Sequence, residues 1–124
     1  MLYAILCYTS ESEVAAMPRK DEEAMMAGLM EINRKFAERG KLGPVVRLMP
    51  TTAATTVRYG KEPVVLDGPF AETKEQFLGF YVVDCESLDE AIEMAKELAG
   101  PHSHGTGAYE IRPVQYYNPG VGVK

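Results

Sequence analysis

Two cysteines and two histidines are all this sequence holds of the common soft metal ligands, and Cys7 and Cys85 lie far apart in apolar runs. A CxxC redox pair and a cysteine zinc site are therefore excluded. No apolar stretch approaches the roughly 20 residues of a membrane span, and MLYAILCYTSES lacks both a basic start and a cleavage pattern. No membrane partner is expected, and the cytoplasm is the expected compartment. Neither a GxGxxG run nor a Walker loop is present, so no cofactor is expected. Basic residues number 13 against 18 acidic ones, a net charge of −5, with no dense Lys/Arg run to offset phosphate charge. Nucleic acid is thereby excluded as the main partner.

What is present suits one folded domain over residues 1–124. A content of 46% hydrophobic and 25% charged residues excludes disordered and collagen-like chains. Leu2 to Tyr8 is apolar at every position, as befits a central strand covered on both faces. Pro18, the acidic Asp21, Glu22 and Glu23, and the apolar series Met25, Leu29, Ile32 and Phe36 predict an amphipathic helix ending near Gly40. Met25, Met26 and Met30 read as pliable core or interface filler on that helix. Gly43-Pro44 separates it from TTAATTVRYG and PVVLDG, which read as a hairpin turning at Gly60 to Pro63.

FLGFYVVDC, residues 77–85, is a second strand apolar on both faces. Ser87 with Glu90 forms a capping box for a helix carrying Leu88, Ile92, Ala95 and Leu98, stopped by Gly100-Pro101. Tyr109 to Val114 reads as the last strand, and residues 116–124 as a tail. The order predicts an α+β fold of ferredoxin-like topology: two βαβ-like halves with an inserted hairpin and an antiparallel sheet. With the two apolar strands antiparallel neighbours, Cys7 and Cys85 fall at opposite ends, about 20 Å apart, too far for a disulfide. Two helices cover one sheet face, so the other face calls for a second copy of the chain.

LDGPFAETKEQF, Leu66 to Phe77, is the most unusual segment. Gly68 and Pro69 fit a turn, while Thr73 and Gln76 have the spacing of a cap on a short helical turn whose N–H groups would hold an anion. Asp67, Thr73 and Lys74 would then converge on a small cavity; the alternative is a capped turn in solvent. Arg58 and Arg112 alternate with apolar strand residues and point either into a cavity, where they would favour a carboxylate or other anion, or into water. Tyr59, Tyr81 and Tyr109 are either cavity lining or core. His102 and His104 in PHSHG form an H-x-H pair, a weak metal candidate without a third ligand nearby.

DGPFAETKEQ, with TTVR at 55–58, VVD in the central strand and EIRPV at 110–114, resembles the DGPF subgroup of the YCII-related family over nearly the whole chain. The resemblance implies a dimeric α+β barrel made by two sheets packed face to face. It also implies a site near the barrel mouth, where YCII relatives pair a histidine with an aspartate. Asp67 is the matching carboxylate, but the first helix contains no histidine, so that dyad is incomplete here. The reading that follows is a homodimer with a cleft at the DGPF turn for a small polar or anionic ligand. Asp67 would act as general base in lyase- or isomerase-like proton transfer, Lys74 or Arg112 would hold the ligand's charge, and backbone donors near Phe70 to Lys74 would steady an oxyanion, with Gly68, Phe70, Thr73 and Arg58 also candidate ligand contacts. The alternative is a non-catalytic binding or regulatory module, suggested by the association of some relatives with sigma factors.

Overall fold

The computed structural model describes residues 1–102 and 105–123. Its core is a four-stranded antiparallel sheet in the order β2 (Leu42–Arg47), β5 (Gln76–Asp84), β1 (Leu2–Thr9), β6 (Gly107–Pro113). Helices α2 (Arg19–Glu38) and α3 (Leu88–Ala99) connect the strands of the two halves, and a hairpin of β3 (Thr55–Arg58) and β4 (Val64–Asp67) is inserted between β2 and β5. This is the expected ferredoxin-like α+β arrangement.

Strand register assigns the two faces. Tyr3 opposite Val83, Ile5 opposite Tyr81 and Cys7 opposite Gly79 face the helices, while Ala4 opposite Val82 and Leu6 opposite Phe80 face away. Tyr3, Ile5, Tyr81 and Val83 join Met25, Leu29 and Phe36 of α2 and Ala91, Met94, Ala95 and Leu98 of α3 in one buried cluster. Phe36, Ile5, Leu98, Val83 and Cys85 are its largest fully buried members. The expected stripe of α3 is rotated: Ala91 and Met94 are buried, whereas Leu88 at the first turn is 49% exposed. Both cysteines are buried free thiols. Ser87 Oγ accepts the Glu90 N–H, and the Glu90 carboxylate accepts from the Glu86 N–H and from Lys41 Nζ, so the capping box also ties α3 to the loop before β2.

Two elements differ from the sequence reading. Gly43-Pro44 lies inside a strand: Leu42 pairs with Val83 and Val45 with Tyr81, so Gly43 and Pro44 bulge opposite Val82. A proline is tolerated there because β2 is an edge strand with a bulge, where a missing N–H costs no ladder bond. The second is α1 (Glu11–Ala16), a short helix capped by Ser10, whose side chain accepts the Glu13 N–H. Helix α1 acts as a clasp. Glu11 accepts from the Thr51 N–H (2.8 Å) and Thr51 Oγ1 (2.6 Å) at the 3-10 turn Thr51–Ala53 below the hairpin, and Glu13 accepts from the Thr106 N–H (2.8 Å) before β6.

β5 pairs with β2 at Gly79, where an added Cβ would collide with the Val46 carbonyl oxygen. No side chain fits without moving backbone. Gly79→Ala is therefore expected to destabilise the fold by about 1–3 kcal/mol, as overpacked sites do, with lost amide protection concentrated in β2. Hydrogen exchange checks this; a fully protected β2 in the variant would contradict the packing argument.

Candidate functional site

The DGPF turn follows β4 at the open end of the hairpin. Gly68 has φ +90, a left-handed conformation that favours glycine, and its N–H donates to the Ala54 carbonyl (2.8 Å) while its own carbonyl accepts from Thr56 Oγ1 (2.7 Å). Asp67, the last residue of β4, is exposed, and among the described residues its carboxylate has no hydrogen-bond partner. Arg58 and Phe70 meet across an open hollow of about 480 Å³ with Thr56, Val57 and Tyr59; Phe70 is 75% exposed and Tyr59 97%. Asp67 and Lys74 lie outside that hollow. Arg112 stands opposite Ala4 on the helix-free face of the sheet, also exposed.

Thr73 and Gln76 do interact, but they form no helical turn. Thr73 Oγ1 donates to the Glu75 carbonyl (2.6 Å), Gln76 Nε2 donates to the Thr73 carbonyl (2.6 Å), and Gln76 Oε1 accepts from the Glu11 N–H (2.9 Å). Gln76 is drawn into β5 and the clasp, so the bends before it present no helix N-terminus. The helical turn expected to present N–H groups at Thr73 and Lys74 is thus absent.

A second constellation lies between the sheet and α2. His102 Nε2 and Tyr109 Oη share a hydrogen bond at 2.7 Å, their rings edge to face with centroids 5.6 Å apart. Tyr81 lies beside Tyr109 at 6.4 Å, and Cys7 sits opposite both Gly79 and Tyr109 in the register. Arg47, opposite Gly79 at the end of β2, completes the group. Of the three candidate tyrosines, Tyr81 and Tyr109 are thus brought together, while Tyr59 stays on the hairpin. These residues border two neighbouring spaces of about 120 and 230 Å³ that share Cys7, Thr9, His102 and Tyr109. His104 lies outside the described residues, and among those described no three His, Cys, Asp or Glu side chains group as metal ligands.

The electrostatics of this cleft follow from burial. Burial pushes the Tyr109 phenol far above its ordinary range, with Cys7 and Tyr81 adding to the effect, and pushes Tyr81 up as well. Burial likewise raises the Cys7 thiol, with Tyr109 and Arg47 pulling the other way. At neutral pH these groups are neutral donors, and Cys7 is no activated nucleophile. Burial, and secondarily the charge of Arg47, lowers the His102 pKa and keeps its imidazole neutral. Sequence reading missed this site because its members come from β1, β2, β5 and β6 and the loop after α3. The available signal was the lone Arg47 closing the apolar GPVV run.

The lowered His102 pKa fixes the sign of a pH dependence. Below the ordinary histidine value of about 6.5, the unfolded chain takes up a proton that folded His102 refuses. This contribution to stability is complete above that value and declines as pH falls through it toward the depressed folded pKa. His102→Gln should therefore lose less stability than wild type between neutral pH and mild acid in parallel denaturant titrations. Equal losses would show that His102 titrates normally.

A YCII-related domain model matches residues 1–118. An uncharacterized protein of Rhizobium meliloti (strain 1021) is 54% identical over 121 residues, 97% of each chain. Among the described residues, no helix is long and apolar enough to cross a membrane. With the two-layer fold and the DGPF hairpin in place, a match that runs from β1 past the end of β6 makes this chain a member of the YCII-related domain family.

Proposed function

We propose that the protein acts as a homodimer that binds a small polar or anionic molecule in a cleft formed when two sheets meet, with the DGPF hairpins at its mouth. The observation that carries this reading is uncovered apolar surface. On the helix-free face Leu6 and Phe80 are only partly buried and Val46 is 36% exposed. The hairpin leaves Val57, Val64, Val65 and Leu66 between 40 and 67% exposed, although a lone two-stranded hairpin is marginal in water. Surface of this kind on a small domain favours association, and a second copy offers a self-complementary match.

In that dimer Asp67, Gly68, Phe70 and Arg58 come from the hairpin and Arg112 from the sheet face. Arg58 and Arg112 supply the positive charge for an anionic ligand. Asp67 faces water in one chain, so a general-base role for it depends on enclosure by the partner. Binding is accordingly the part of the function that the geometry favours, and proton transfer is the finer version that needs the enclosed carboxylate.

Equilibrium sedimentation is expected to give a dimer at micromolar concentration, and Val65→Asp is expected to shift it toward monomer. A wild-type monomer at that concentration would refute the reading. Thermal shift with small carboxylates, phosphates and lactones should raise the melting temperature of wild type and not that of folded Asp67→Ala. Equal shifts in both would remove Asp67 from the site.

A further inference from the structure

We infer that the cleft between α2 and the sheet, bordered by Arg47, Asn33, His102 and Tyr109, is a separate ligand site for a small monocarboxylate with an apolar body and a hydroxyl group. Charge comes first. The chain has 18 acidic residues, yet none lines either of the two connected spaces. Among the described residues Arg47 is the one Lys or Arg lining them, and its hydrogen bond goes to the Met26 sulfur (3.0 Å), a weak acceptor for a guanidinium. Among the described residues it has no carboxylate partner. Arg47 is exposed and also borders the adjoining space that holds Glu11 and Glu22, but within these two spaces its guanidinium meets no acid, which suits a single negative charge, and its planar fork matches a carboxylate.

The second observation is Asn33. Its side-chain carbonyl oxygen is buried and has no hydrogen-bond partner. A buried acceptor left empty is costly, and one that borders a cavity invites a donor from what fills it. A hydroxyl on the ligand supplies that donor. The remaining wall is apolar: Met25, Met26, Leu29 and Met30 from α2 face Val45 and Tyr81 across the cleft. Thioether side chains repack around an aromatic or branched body at little cost. His102, held neutral, leaves Arg47 to neutralise the ligand by itself.

The probe is para-hydroxybenzoate, compared with benzoate, which lacks the hydroxyl, and phenol, which lacks the carboxylate. Titration calorimetry is expected to show saturable binding of para-hydroxybenzoate, one per chain, with benzoate weaker and phenol weakest. Arg47→Gln should weaken it by about tenfold or more, the loss of one charge-assisted contact. Asn33→Leu should abolish the preference over benzoate, and Asp67→Ala should bind as wild type does. Should Arg47→Gln fail to fold by circular dichroism, Arg47→Lys reports the same loss of fork geometry. Three results would overturn the assignment: no saturable binding by wild type at millimolar ligand, unchanged affinity in the folded Arg47 variant, or binding lost in Asp67→Ala, which would assign the ligand to the hairpin.

Discussion

Two central strands apolar on both faces, with helices enough for one face, impose the constraint on which the rest of this structure depends. β1 and β5 lie side by side, and their alternate residues split between a face sealed by α2 and α3 and a face that is not. The sealed face takes the large residues, Phe36, Ile5, Leu98 and Val83, and holds the fold together. The unsealed face, with the hairpin beyond it, keeps apolar side chains uncovered. Core and uncovered face are thus two sides of one sheet, separated by the thickness of a single backbone.

The two candidate sites inherit that division. The DGPF hairpin belongs to the unsealed side: its residues are exposed, its glycine holds a left-handed turn, and its carboxylate meets only water in a single chain. The cleft at His102 and Tyr109 belongs to the sealed side, where burial sets the protonation of Cys7, Tyr81, His102 and Tyr109. α1 touches both, holding the base of the hairpin through Glu11 and the loop before β6 through Glu13. A displacement of the hairpin base would accordingly be felt at the chamber wall near Thr106.

Much of this was legible before the structure. The double apolar runs of β1 and β5, the periodic Met25, Leu29 and Phe36, the Ser87 cap and the turn between Arg58 and Val64 are local patterns, and local patterns persist in the fold. β2 was hidden because Gly43-Pro44 is punctuation in most contexts and becomes a bulge only where the strand lies at an edge. α1 carries no apolar stripe to announce it; its stability comes from a serine cap and carboxylates aimed at distant loops. Thr73 and Gln76 had the spacing of a helix cap, yet Gln76 was claimed by a longer-range bond to Glu11, and no spacing rule sees that competitor. The cluster of Cys7, Arg47, Tyr81, His102 and Tyr109 exists only once four strands are in register.

The position of β1 in the sheet also bears on how the protein is made. Its partners are β5, beginning at Gln76, and β6, in which Tyr3 pairs with Pro113. β1 thus acquires its last neighbour only after every other strand of the sheet has been made. Both edges of this apolar segment stay open until β5 is made, and one of them waits for β6, so the sheet assembles through contacts of long sequence separation, which form slowly. The nascent chain is most exposed to aggregation in that interval, and chaperone occupancy of β1 would be governed by the arrival of β5 and β6.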